Sequence, residues 1–115
     1  MITREAPLHA LQEHVALTEI KRGFHAQSTT EKCLLLGEEI GELFKAVRKT
    51  SGLAVDPESE VKDVAYELAD ILNYPLAIAN RYQIDLGEAF VAKEQLNGAR
   101  TWLPSPTPTP TPTSG

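Results

Sequence analysis

Four acids in two repeats are the residues of this chain best suited to chemistry. Glu39 and Glu42 stand three positions apart in GEEIGELFKAVRK, and Glu67 and Asp70 stand three apart in YELADILNY. Residues three apart on an α-helix share a face, so each repeat aims two carboxylates at one region of space. Like charges at that spacing repel, and both repeats border apolar stripes, so packing the two helices together would gather all four acids. Lys45, Arg48 and Lys62 are too few or too distant to neutralise them. A partly buried set of carboxylates is costly unless a cation compensates. An all-oxygen set without His or Cys selects a hard ion, Mg2+ with Mn2+ as a substitute, and such a site takes substrate phosphates to complete its shell. The competing reading, solvated helix faces with no ion, stays open on spacing alone.

Four helices are expected to position these acids. The first runs from Pro7 to Arg22, with Leu8, Leu11, Val15 and Ile20 on one side, and stops at Gly23. The second opens at Ser28, which has capping-box spacing to Glu31, and continues through Lys49 until Ser51-Gly52 breaks it. Its apolar face comprises Leu36, Ile40, Leu43, Phe44 and Val47, with Glu39 at the edge and Glu38 furthest out. The third opens at Asp56-Pro57 and reaches about Tyr82, with Val61, Val64, Ala65, Leu68 and Leu72 as its apolar face. Pro75 removes one backbone hydrogen bond within it. The fourth starts at Asp85, with Glu88 three residues on, and extends to about Trp102. No segment alternates as a strand does. The expected fold is therefore an all-α bundle of four main helices over residues 1–103. Residues 104–115, PSPTPTPTPTSG, form a Pro/Thr-rich tail expected to be extended and disordered.

Composition narrows the function. The chain has 115 residues, 42% of them hydrophobic but only 6% aromatic, which suits a helical core of Leu, Ile, Val and Ala. A net charge of -5 argues against a nucleic-acid surface, because phosphate backbones need clustered Lys and Arg. Cys33 is the single cysteine, so no disulfide forms within the chain, and a reducing cytoplasm is the expected compartment. No stretch reads as a membrane span or signal peptide.

Together, LLLGEEIGELFKAVRK, ELADILNYPLAIANRYQIDLGEAF and KEQLNGARTW resemble the MazG-like branch of the all-α nucleoside triphosphate pyrophosphatases, over residues 28–102. The resemblance implies hydrolysis of a nucleoside or deoxynucleoside triphosphate to monophosphate and pyrophosphate, with the clearing of surplus or noncanonical nucleotides as its expected role, in a homodimer or homotetramer. It puts metal ligands at Glu39, Glu42, Glu67 and Asp70. Glu38 could serve as general base or as a ligand to an additional ion, and is equally well a surface residue. Lys93, Asn97 and Arg100 share one face of the fourth helix, and the family pattern there implies contacts to phosphate and sugar. Asn73, one turn beyond Asp70, could read a base edge. Lys32 could reach a phosphate but reads better as a surface lysine. Phe24 and Trp102 could stack on a base, although buried anchors or dimer contacts suit both better, and His25 could close over a nucleotide. Cys33 is expected to fill apolar space, and His9 and His14 have no assigned role. Two alternatives remain beside this reading: a phosphoribosyl-ATP pyrophosphohydrolase, and a helical interaction module without catalysis.

Overall fold

Local chemistry sets the helix boundaries in the computed structural model, which describes residues 2–51 and 61–100. Helix α1 spans Leu8–Arg22 behind Pro7. It closes on Gly23, whose φ of 75° lies in the left-handed region that costs glycine no Cβ clash. A 3-10 turn follows at Phe24–Ala26, an element not expected from the sequence. Helix α2 spans Thr29–Thr50 and opens with the expected capping box. Glu31 N donates to Ser28 Oγ at 3.1 Å and Ser28 N donates to Glu31 Oε1 at 3.2 Å, satisfying two otherwise orphaned amides. Helix α3 spans Val61–Arg81 and runs through Pro75. The start expected for it at Asp56-Pro57 lies outside the described residues, as do Trp102 and the tail. Helix α4 spans Leu86–Ala99, and Asp85 Oδ1 caps it by accepting from Glu88 N at 2.9 Å. It ends earlier than expected, because Arg100 already has extended backbone.

Helix α3 is the central element: α2 packs along one part of it, and α1 along another. Helix α4 packs on α1. Val15, Leu76 and Ala77 form the buried core, with Leu8, Leu11 and Leu86 packed against it. Gln12 joins three segments there. Its Nε2 donates to Ile84 O at 2.8 Å and to Asn80 Oδ1 at 3.2 Å, and its Oε1 accepts from Leu86 N at 2.8 Å. Asn80 Nδ2 donates back to Gln12 O at 2.9 Å, so this buried polar group is satisfied and fixes how α4 leaves α3.

The packing faces differ from the expected apolar stripes. Ile20 is 61% exposed, and Phe44 is 67% exposed with Val47, Ala65, Leu68 and Leu72 also exposed. The inward side of α2 carries Lys32, Leu35, Glu39 and Ala46 beside the expected Leu36, Ile40 and Leu43, and that of α3 carries Glu67, Ile71 and Tyr74 beside the expected Val64. Each helix is thus rotated so that acids sit in the α2–α3 contact and much of the apolar stripe is uncovered within one chain. Cys33 is also exposed, and so does not fill apolar space. Among the described residues, no helix is long and apolar enough to cross a membrane.

Candidate functional site

The rotation of α2 and α3 brings their acids together. Glu39, Glu67 and Asp70 each present a carboxylate oxygen, and the three oxygens lie within 4.8 Å of one another. Glu39 and Glu67 are half-buried, Asp70 is exposed, and Glu67 Oε2 is a buried oxygen without a hydrogen-bond partner. Three acids at this spacing disfavour one another's charge. Burial pushes the Glu39 carboxyl above its ordinary range. A hydrogen bond to Glu67 that only a protonated carboxyl can make, and the charges of Glu67, Asp70 and Glu42, push it in the same direction. A hard divalent cation fits this arrangement. The donors are all oxygen, and Glu67 contributes a buried oxygen without a hydrogen-bond partner.

Glu42 is exposed and outside this group of three. It lines a neighbouring cavity together with Glu67, while its charge still reaches Glu39. Glu38 is exposed, and its charge reaches Tyr74. Burial first, then the charges of Glu39, Asp70 and Glu38, raise the Tyr74 hydroxyl above its ordinary value. Tyr74 therefore keeps its proton and remains a hydrogen-bond donor beside the acids.

A cavity of about 400 Å³ opens next to the cluster, a size that suits a small ligand. Glu39 and Lys32 line it from α2, and Asp70, Asn73 and Tyr74 line it from α3. Asn73 is thus placed where a bound molecule would meet it. The far wall comes from α1 and the 3-10 turn, through Glu19, Phe24 and Gln27.

That wall is held by a buried charge network that sequence reading missed. Lys32 is 4% exposed, which corrects its reading as a surface lysine. Its Nζ lies 2.7 Å from Glu19 Oε2, and Arg81 Nη2 lies 3.1 Å from the same oxygen. Arg81 also donates to the carbonyls of Gln27 and Phe24, and so pins the 3-10 turn to α3. Lys32 Nζ stands 5.4 Å from the centre of the Phe24 ring, within cation–π range. Phe24 is thereby a wall of the cavity, neither a buried anchor nor a detached surface residue. His25, one position on, is exposed and does not line the cavity. A periodic pattern could not have revealed this network, because its members lie on three helices.

Lys93 and Asn97 lie on α4, the helix that packs against α1, Arg100 is its C-cap, and none of the three lines the cavity. Asn97 Nδ2 donates to Glu94 Oε1 at 3.4 Å on the same helix.

Comparison with protein families matches the MazG nucleotide pyrophosphohydrolase domain over residues 26–95, more than half of the chain. That span begins in the 3-10 turn, contains all of α2 and α3, and closes within α4. Comparison with curated proteins finds no match.

Proposed function

The chain belongs to the MazG nucleotide pyrophosphohydrolase domain family, and from that premise we propose that it hydrolyses a nucleoside or deoxynucleoside triphosphate to monophosphate and pyrophosphate with Mg2+, for which Mn2+ substitutes. Family membership supports the reaction class. The observation that carries the finer reading is the group of Glu39, Glu67 and Asp70, gathered within 4.8 Å, two of which, Glu39 and Asp70, line a cavity of about 400 Å³.

In this proposal Glu39, Glu67 and Asp70 hold the cation, and Glu42 adds a carboxylate from the next turn. A divalent ion bound there supplies neutralisation of the polyphosphate charge and a lowered pKa for water. The remaining work falls to the chain's own groups. Glu38 accepts the proton released as water attacks. Tyr74, whose hydroxyl is pushed above its ordinary value by burial and by the neighbouring acids, donates to a phosphate oxygen. Asn73 hydrogen-bonds the nucleoside, and Lys32 and Phe24 shape the inner end of the cavity that receives it. Lys93, Asn97 and Arg100 contact phosphate or sugar from the α4 helix of a neighbouring copy, in a homodimer or homotetramer. The uncovered apolar residues of α2 and α3, Phe44, Leu68 and Leu72 among them, are the surface such a copy would bury. The enzyme acts in the cytoplasm and clears surplus or noncanonical nucleotides.

The test is a product assay over the common ribo- and deoxyribonucleoside triphosphates and phosphoribosyl-ATP, each with Mg2+ and with chelator. Monophosphate plus pyrophosphate from at least one triphosphate, only with metal, is the expected outcome. Release of inorganic phosphate instead, or turnover of phosphoribosyl-ATP alone, would refute it.

A further inference from the structure

Glu19 of α1 stands between the two helices that carry the acids. Its Oε2 lies 2.7 Å from Lys32 Nζ of α2 and 3.1 Å from Arg81 Nη2 of α3. Lys32 and Glu39 stand seven residues apart, two turns along one face of α2. Asp70 and Arg81 stand eleven apart, three turns along one face of α3. Further along, Ala46 of α2 and Asp63 of α3 line one cavity together. The order Lys32, Glu39, Ala46 thus runs against the order Arg81, Asp70, Asp63, and the two helices are antiparallel. Residues 52–60 join them covalently at one end, Glu19 bridges them at the other, and the acids lie between.

The acids are the part of this contact that works against it. Three carboxylates within 4.8 Å repel, and until a cation binds that repulsion acts to part α2 from α3. Apolar packing opposes it only in part, because Phe44, Leu68 and Leu72 are exposed. At the Glu19 end the charges have the opposite arrangement, one carboxylate between two cations. Glu19 is 7% exposed and Lys32 4%, so their attraction is little screened, and separation would leave a buried ammonium without its counter-charge. The effect of this brace on the acids runs through helix position, since burial and neighbouring acids are what act on the Glu39 carboxyl. Glu19 also precedes the family-matched span of residues 26–95, which contains Lys32, Arg81 and all the acids. Helix α1 therefore supplies the central member of the brace from outside that span.

We propose that Glu19 is a positioning residue for the cation site: by bracing Lys32 against Arg81 it keeps α2 and α3 together at one end, and so holds Glu39, Glu67 and Asp70 gathered before a cation arrives. This rests on the reading of those acids as the cation site of the proposed hydrolysis. Without the brace the carboxylates move apart, and a divalent ion must draw them back together at the expense of its own affinity. Arg81 completes the brace, and its donors to the carbonyls of Gln27 and Phe24 hold the 3-10 turn beside it.

Calorimetric titration of the nucleotide-free full chain with Mn2+ tests this without relying on turnover. The proteins compared are the wild type, Glu19→Gln, Arg81→Met, Arg81→Lys and Gln12→Ala, each at a temperature where its melting curve shows it folded. Glu19→Gln is expected to weaken Mn2+ binding by about tenfold, the size of effect seen when groups behind metal ligands are removed. Arg81→Met is milder for folding, because Arg81 is partly exposed, and carries the test should Glu19→Gln not fold. It is expected to weaken Mn2+ binding by about threefold. Arg81→Lys keeps a charge for Glu19 but lacks the fork to the two carbonyls, and is expected to recover the wild-type affinity. Gln12→Ala breaks the other buried polar link of α1, so it should lower stability and leave Mn2+ affinity unchanged. Unchanged affinity in the brace variants that fold, an equal loss in Gln12→Ala, or no recovery in Arg81→Lys would overturn the proposal. Failure of the wild type to bind Mn2+ would overturn it together with the cation site. Mn2+ binding without hydrolysis of any triphosphate would instead count against the parent reading alone, and the product assay detects that separately.

Discussion

Burial and the charges of Glu67, Asp70 and Glu42 hold the Glu39 carboxyl above its ordinary value of 4.5. The sign of the stability effect follows from linkage. Below 4.5 both folded and unfolded chains keep the proton, and no penalty exists. As pH rises through the folded-state value, the folded chain must carry a disfavoured charge, so stability falls towards neutrality. A divalent cation relieves the same penalty, and competes with the proton for the same oxygens. Melting curves between about pH 4 and about pH 7 should thus show a growing stabilisation by Mg2+ as pH rises. Glu39→Gln should flatten that dependence and raise stability in the absence of metal. Glu19 is a second residue with a distinct consequence. It is the shared partner of Lys32 and Arg81, and Glu19→Gln leaves a buried ammonium without its counter-charge. We predict a loss of about 3 kcal/mol in urea unfolding. A loss below about 1 kcal/mol would mean that the pair behaves as an exposed one. Lys32 was unreadable from the sequence for the same reason: lysine is buried only when paired, and its partner lies on another helix.

Elements were legible wherever their signals are local. Ser28 with Glu31, Gly23 and Asp85 each act within a few residues, and each does at its helix end what its spacing implies. The faces by which helices pack were less legible. An apolar stripe states which residues gain from burial, but the neighbouring helix decides which are buried, and α3 meets α2 along a face that includes Glu39 and Glu67. The acid pairs could be read because i and i+3 share a face on any helix. That Glu42 would sit outside the group of three could not, since the relative rotation of α2 and α3 determines it. A local test remains at the end of α3, where Gln83 holds a left-handed φ of 55° and Ile84 N bonds back to Ala79 O at 2.9 Å. Glycine adopts that conformation without a Cβ clash, so Gln83→Gly should stabilise the protein by about 1 kcal/mol. An unchanged or lower melting temperature would show that the exposed Gln83 side chain contributes more than its backbone strain costs.

For the whole molecule, one chain leaves large apolar side chains uncovered on α2, α3 and α4, including Leu34, Phe44, Leu68 and Phe90. Lys93, Asn97 and Arg100 line neither of the cavities beside the acids. Both features are accounted for together if a second copy covers the apolar faces and delivers its α4 to the site. Light scattering should accordingly give the mass of a dimer or tetramer, and Phe44→Glu should shift it towards monomer with a loss of activity. A wild-type monomer with full activity would exclude that arrangement. The central claim, that the gathered acids of α2 and α3 perform triphosphate hydrolysis, is tested most directly by pyrophosphate release from the best triphosphate. The comparison is between wild type and Glu67→Gln at saturating Mg2+, with melting curves for both. We predict a fall of about a hundredfold or more in the variant with the fold retained. A folded Glu67→Gln protein that releases pyrophosphate at the wild-type rate would contradict the assignment of this site.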